Sequence, residues 1–330
     1  MSPRRVILLL ALFAIAVLLG APFVGMTAIS PLDIMRSAAD SPEAVVFWRI
    51  RVPRVIAAFL AGSGLAISGM AFQALFRNPL ATPFTLGVSG GAAFGAALYV
   101  RLGLSFALLG VSGSAISAFA GAFCVILLVY ALTRACGGFA TPTLLLAGVA
   151  LSFFLSSMIL ALQYSASLHD SFRLVRWLMG GLGMVGYDAA LHLFPVVTAG
   201  AVILFMLRNE LNLLTIGEDI AMSRGLDVPR VKRLIFFAVS LMVGGIVAVC
   251  GPIGFVGMMA PHICRLLIGA DHRHLYAATL LFGGAFLTLC DVVARTAFAP
   301  AEIPVGVITA LLGGPFFLYL LLRRGAGRLS

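Results

Sequence analysis

Apolar runs of about twenty residues, broken by short polar stretches, recur along the whole chain at about 6–26, 55–75, 84–100, 104–133, 143–163, 191–207, 234–250, 252–270, 275–298 and 304–322. At a rise of about 1.5 Å per residue, such runs suit helices crossing a hydrocarbon layer about 30 Å thick, where the backbone must satisfy its hydrogen bonds within the segment. The pattern predicts ten membrane-spanning helices packed side by side: an all-α integral membrane protein with residues 1–330 in a single domain. Pro252 and Pro261 in "GPIGFVGMMAPH" break helical periodicity and predict a short or re-entrant segment there. The opening "MSPRRVILLLALFAIAVLLGAPFVG" has the charged-then-apolar layout of a secretory signal, but its apolar run is long enough to span, so a retained first helix is expected.

One stretch departs most from this pattern. "GEDIAMSRGLDVPRVKRL", residues 217–234, carries seven charged side chains, including the only lysine of the chain, Lys232. Within it "EDIAMSRG" predicts a short helix, with Glu218 and Asp219 at the positive end of its dipole, Gly225 as its stop and Pro229 four residues beyond. A solvated connector needs no such order. The stretch is therefore read as a docking element for a soluble partner.

Two further polar segments fall on the opposite side of the predicted membrane. "FWRIRVPR" puts Arg49, Arg51 and Arg54 at the start of the second span, where they suit either interfacial anchoring or an electropositive surface for carboxylates. "HDSFRLVRWLMGGL", 169–182, puts His169, Arg173 and Arg176 on one helical face. That face fits an amphipathic helix on the membrane surface, or contact with an anionic ligand.

Composition supports the membrane reading: 62% hydrophobic residues and 10% charged ones, where soluble chains carry about a quarter charged. The formal net charge of +10 does not point to nucleic acid, because the arginines are scattered singly between apolar runs. With ten spans and the N-terminus inside, fourteen of the 22 basic residues fall on the cytoplasmic side, which places both termini and the 217–234 stretch in the cytoplasm. The five cysteines show no C-x-x-C spacing and read as small buried hydrophobes. No cluster has metal-ligand spacing.

Small residues recur at four-residue intervals. Gly87, Gly91 and Gly95 form one stripe and Gly113, Ser117 and Gly121 another, the pattern that lets membrane helices approach closely. A "GM" followed eight residues later by arginine occurs twice, Gly69 to Arg77 and Gly257 to Arg265, on spans of the same direction, and reads as coincidence.

Several motifs occur in a recognisable order: "RVPRVIAAFLAGSGLAISGMAFQALFRNPLATPFTLGVSGGAAFG" (51–95), "TPTLLLAGVAL" (141–151), "WLMGGL" (177–182), "GPIGFVGMMAPHICR" (251–265) and "DVVARTAFAPAEIPVGVITALLGGPFFLYLL" (291–321). With the polar loop, they resemble the FecCD family, permease subunits of type II ABC importers for iron-siderophore, haem and cobalamin. The resemblance implies a homodimer in the bacterial inner membrane, two cytoplasmic ATPase subunits, a periplasmic or lipid-anchored binding protein and a translocation path on the dimer axis. It places coupling helices at about 217–228, with Glu218, Asp219, Ala221, Arg224 and Gly225 at the ATPase. It makes Arg51, Arg54 and Arg295 acceptors for carboxylates of the binding protein, and Asn78, Leu80, Thr141 and Thr143 a cytoplasmic gate. Arg173 and Arg176 are possible substrate contacts. ATP and magnesium belong to the ATPase, with no cofactor on this chain, and the cargo is an iron chelate, siderophore or haem, with cobalamin as the alternative.

The residues agree that the motor lies elsewhere. A P-loop needs glycines before Lys and Ser or Thr, whereas Lys232 stands between Val231 and Arg233. A secondary transporter would place ionisable groups deep in its spans, which are nearly bare of them. A membrane metalloprotease would carry H-E-x-x-H, which is absent.

Overall fold

The computed structural model describes residues 2–27, 29–30, 34, 41–108, 110–136, 141–183 and 186–326. Each of the ten apolar stretches falls on a helix. Among the described residues, seven helices are long and apolar enough to cross a membrane: Pro3–Phe23, Pro42–Phe76, Gly113–Ala135, Thr141–Tyr164, Asp188–Met206, Val228–Cys250 and His272–Thr296. Val256–Ile268 and the apolar part Val305–Leu320 are shorter, as is the 14-residue Val88–Arg101.

In chain order the helices are α1 (Pro3–Gly20), α2 (Pro42–Phe76), α3 (Val88–Arg101), α4 (Gly113–Ala135), α5 (Thr141–Tyr164), α6 (Leu168–Leu178), α7 (Asp188–Met206), α8 (Arg208–Ile216), α9 (Glu218–Ser223), α10 (Val228–Cys250), α11 (Val256–Ile268), α12 (His272–Thr296) and α13 (Val305–Ala326). The centre of the bundle is α2, with 83% of its most apolar window buried, against 22% for α5. It packs on α7, α10, α11 and α12. The outer face of α5 instead exposes Leu146, Phe153, Phe154 and Leu160.

Small residues set the closest approaches. A Cβ on Gly91 would come within 2.6 Å of the Gly121 carbonyl, and one on Gly95 would collide with that of Ser117. The two stripes therefore join α3 to α4 backbone to backbone, where lipid gives no hydrophobic drive for association. The two "GM" glycines also meet. A Cβ on Gly69 of α2 would overlap the Gly257 carbonyl of α11, and Gln73 Nε2 donates to that oxygen at 3.2 Å. The two motif glycines thus sit at a helix crossing.

Two boundaries differ from expectation. The 104–133 stretch begins as a hairpin of β1 (Ala107–Leu108) and β2 (Val111–Ser112), because Gly103 and Gly110 adopt positive φ and Ser112 Oγ caps α4 by accepting from Ala115 N–H. The sequence pattern also gave no warning of α8, a separate nine-residue helix after α7 that buries Leu211 and Leu214. The region of Pro252 and Pro261 behaves as expected: α10 stops at Cys250, residues 251–255 turn with Gly251 at φ 69, and α11 is short.

Candidate coupling face and outer arginine cavity

Between α7 and α10 the chain forms the two short helices α8 and α9. The predicted short helix is present as Glu218–Ser223, and Gly225 follows it at φ 82. Ala221 is fully buried beneath it. Its outward surface is formed by Asp219, Ile220, Met222, Ser223 and Arg224, with Ile220 45% and Met222 50% exposed. Of the nominated coupling residues, Asp219 and Arg224 thus reach solvent fully, Glu218 partly, and Ala221 faces inward. Sequence reasoning passed over Ile220 and Met222, although two large apolar side chains inside a charged stretch were the visible signal.

Both helices are tied to the bundle. Asn212 Nδ2 of α8 donates to Asp271 Oδ1 at 2.7 Å, and the His272 backbone N–H donates to Asn212 Oδ1 at 2.8 Å. Arg273 Nε donates to Asn209 Oδ1 at 3.0 Å. The Asp271 carboxylate also caps α12 by accepting from Arg273 N–H, and that bond first, helped by Asn212, holds it below the usual carboxylate range. In α9, Glu218 Oε1 accepts from Lys232 Nζ at 2.6 Å.

The expected gate residues lie just after α2 and at the start of α5. Arg77 ends α2 in the left-handed region, and Asn78 Oδ1 accepts from Leu80 N–H at 2.9 Å, which fixes a turn that leaves Leu80 exposed. Thr141 and Thr143 occupy the first turn of α5. The segment after Leu80 packs against α5, where Gly148 meets Thr85 and Leu86.

Towards the other end of the bundle a buried ion network joins α2, α12 and the loop after α12. Arg54 Nη2 lies 2.9 Å from Asp291 Oδ1, its Nε donates to both oxygens of that carboxylate, and its Nη1 lies 2.9 Å from Glu302 Oε2. Arg295, one turn beyond Asp291, lies 3.6 Å from Asp291 Oδ2 and donates to the Ala21 carbonyl at 2.8 Å. Arg51 closes a π-helical turn, Val46–Arg51, and donates to the carbonyls of Pro22, Phe23 and Thr27. Arg51, Arg54 and Arg295 are 5%, 9% and 4% exposed. They do not form the open electropositive surface expected of them, because main-chain carbonyls and Asp291 draw their guanidinium groups inward.

Beside this network lies a cavity of about 410 Å³, lined among others by Arg54, Glu302, Arg173, Arg176 and Trp177. Two segments singled out separately in the sequence, "FWRIRVPR" and "HDSFRLVRWLMGGL", therefore face one space. Among the described residues, Arg173 and Arg176 form no hydrogen bond or ion pair. His169 is not among the lining residues. The wall is shaped by glycines: Gly180 (φ 67) and Gly251 pack each on the other's turn, and Gly181 N–H donates to the Cys250 carbonyl at 2.8 Å. The volume lies in the range of small-molecule sites.

The molecule is thus a bundle of apolar helices with a short polar helix, α9, on its surface and a charged cavity among its loops. The family model of the FecCD transport family matches residues 8–323, and the chain belongs to that family. It is 34% identical over 324 residues to the hemin transport system permease protein HmuU of Yersinia pestis, covering 98% of this chain and 97% of that one. It is 40% identical over 303 residues to the cobalamin import system permease protein BtuC of Halobacterium salinarum, covering 92% and 80%. A solved structure described as an inward-facing conformation of a metal-chelate type ABC transporter superposes with a TM-score of 0.87 at 31% identity, covering 97% of this chain and 99% of that one. The chain is an ABC transporter permease, and ATP hydrolysis resides in a separate subunit.

Proposed function

We propose that this chain is the permease of an ATP-driven importer for an iron chelate, siderophore or haem. It crosses the bacterial inner membrane ten times with both termini in the cytoplasm. It pairs with a second copy, two ATPase subunits and a periplasmic or lipid-anchored binding protein. The observation that carries the reading is α9: an ordered helix, bounded by Gly217 and Gly225 and seated on the bundle through Ala221, that leaves Ile220 and Met222 exposed. Exposed apolar side chains on a polar helix suit insertion into a cleft of a soluble partner.

On the outer side, Arg51, Arg54 and Arg295 serve as the docking position for carboxylates of the binding protein. Arg54 is the one among them that lines the cavity, while Arg51 and Arg295 hold the segment after α1 and add positive potential from behind. Arg173 and Arg176 meet an anionic group of the cargo. Asn78, Leu80, Thr141 and Thr143 close the path at the cytoplasmic side. Asp291 sits between two guanidinium groups, the arrangement of a structural ion pair rather than of an open proton carrier, which speaks against ion-coupled transport.

Cobalamin is the second reading, favoured by the 40% identity to a cobalamin permease. Reconstitution with the ATPase and binding protein, followed by ATP-dependent uptake of haemin, a ferric hydroxamate and cobalamin, separates them. Uptake of either iron compound supports the first reading, and uptake of cobalamin alone replaces it.

A further inference from the structure

The helix that faces the cytoplasm is attached to the bundle unequally at its two ends. Its C-terminal end runs into α10 through a short turn, Arg224–Asp227, closed by Leu226 N–H donating to the Ala221 carbonyl at 3.1 Å. Its N-terminal end meets α8 at Gly217, whose φ of 150 is open to glycine and strained for other residues. With a glycine joint at one end and a short turn at the other, the backbone alone would let α9 swing relative to α10.

Lys232 removes this freedom. It lies in the second turn of α10, 3% exposed, and its ammonium meets Glu218, the first residue of α9. The ion pair therefore joins the far end of α9 back to the helix that its near end already continues into. Two attachment points hold a short helix as part of a rigid body. A buried ammonium is costly away from a carboxylate, so the partner at this position is strongly specified. Asn212 and Asp271 make the corresponding tie for α8, but to α12, so the glycine at 217 separates two bodies anchored on different membrane helices.

We infer that Lys232 is the positioning residue that makes α9 and α10 move as one body, so that displacement of α9 by the ATPase is delivered to α10 and to α2 and α7 packed on it. This rests on the proposal that α9 seats on the ATPase.

The test uses the full permease–ATPase complex. With the exposed Cys124 and Cys136 replaced by serine, spin labels at Ser223→Cys and Leu234→Cys, both exposed, report the separation of α9 and α10 before and after trapping with ATP and vanadate. With Lys232 present the distance distribution stays narrow and unchanged by trapping. Lys232→Met broadens or shifts it, and ATP hydrolysed per haemin imported rises several-fold. Lys232→Arg, which keeps the charge, behaves as the parent protein does, and Lys232→Glu combined with Glu218→Lys moves back towards it. A Lys232→Met distribution identical to that of the parent in both states overturns the inference. Should that variant not assemble, Glu218→Gln carries the same comparison. A cross-link from Ser223→Cys to the ATPase checks the underlying reading separately: its absence in the otherwise unaltered complex removes α9 as the seat, whatever the distances show.

Discussion

Gly69 of α2 lies against the main-chain carbonyl of Gly257 in α11, so closely that no side chain fits between them. The crossing is fixed by backbone on both sides. Gly69→Val must push the two helices apart in the centre of the bundle, and overpacking of this kind costs about 1–3 kcal/mol or more. Thermal unfolding in detergent is expected to show a large loss for Gly69→Val. Gly20→Ala, with no atom within 4 Å of the added Cβ, is expected to stay within about 0.5 kcal/mol of the parent.

Asp291 is fully buried between Arg54 and Arg295, whereas Glu302, the other partner of Arg54, is 36% exposed. Neutralising the buried partner strands two guanidinium groups, and such losses run to about 3–5 kcal/mol. Neutralising the half-exposed one is expected to cost under about 1 kcal/mol. Denaturation of Asp291→Asn and Glu302→Gln should therefore separate clearly. Equal losses would mean that the network is organised around Glu302 instead.

Arg173 and Arg176 hold no partner in the described structure, so replacing them should leave stability within about 0.5 kcal/mol. Their expected effect is on cargo. Arg173→Ala with Arg176→Ala should slow uptake of a carboxylate-bearing chelate such as haemin by roughly tenfold, in line with the loss of one or two charge-assisted hydrogen bonds. Unchanged haemin uptake would remove them as contacts.

The Asn212–Asp271 tie predicts a pH dependence of one sign. The folded carboxylate titrates below its unfolded value, so its stabilisation is present above the usual value of about 3.9 and is lost as the pH falls through the lower, folded value. Protection of the α8 amides, with the intrinsic pH dependence of exchange divided out, should be steady from about pH 5 upward and fall in more acid solution. Asp271→Asn should remove that acid dependence.

Much of this was legible beforehand, for physical reasons. Apolar runs long enough to cross lipid are strong signals, and each landed on a helix. The short helix at 218–223 was visible because its dipole-matched acids and its glycine stop are local. What the sequence concealed was long-range. Nothing in "RVPR" shows that Arg54 faces a carboxylate 237 residues away, so an exposed surface was expected where a buried network exists. The meeting of Gly69 and Gly257 was hidden for the same reason. The helix α8 was missed because it is only nine residues long and buries just Leu211 and Leu214, too short a pattern to stand out beside a spanning run. The start of the 104–133 run was misjudged because a hairpin of apolar residues has the same hydropathy as helix.

The central claim is that the energy of ATP reaches this molecule through α9. Ile220→Asp with Met222→Asp places two carboxylates on the outward side of that helix without touching its buried Ala221. Central apolar contacts of an interface are worth about 2 kcal/mol or more each, and every 1.4 kcal/mol is about tenfold in affinity. Co-purification of the ATPase with the tagged double variant should fall by more than about tenfold while the thermal stability of the permease is unchanged. Undiminished recovery of the ATPase with this variant would contradict the account.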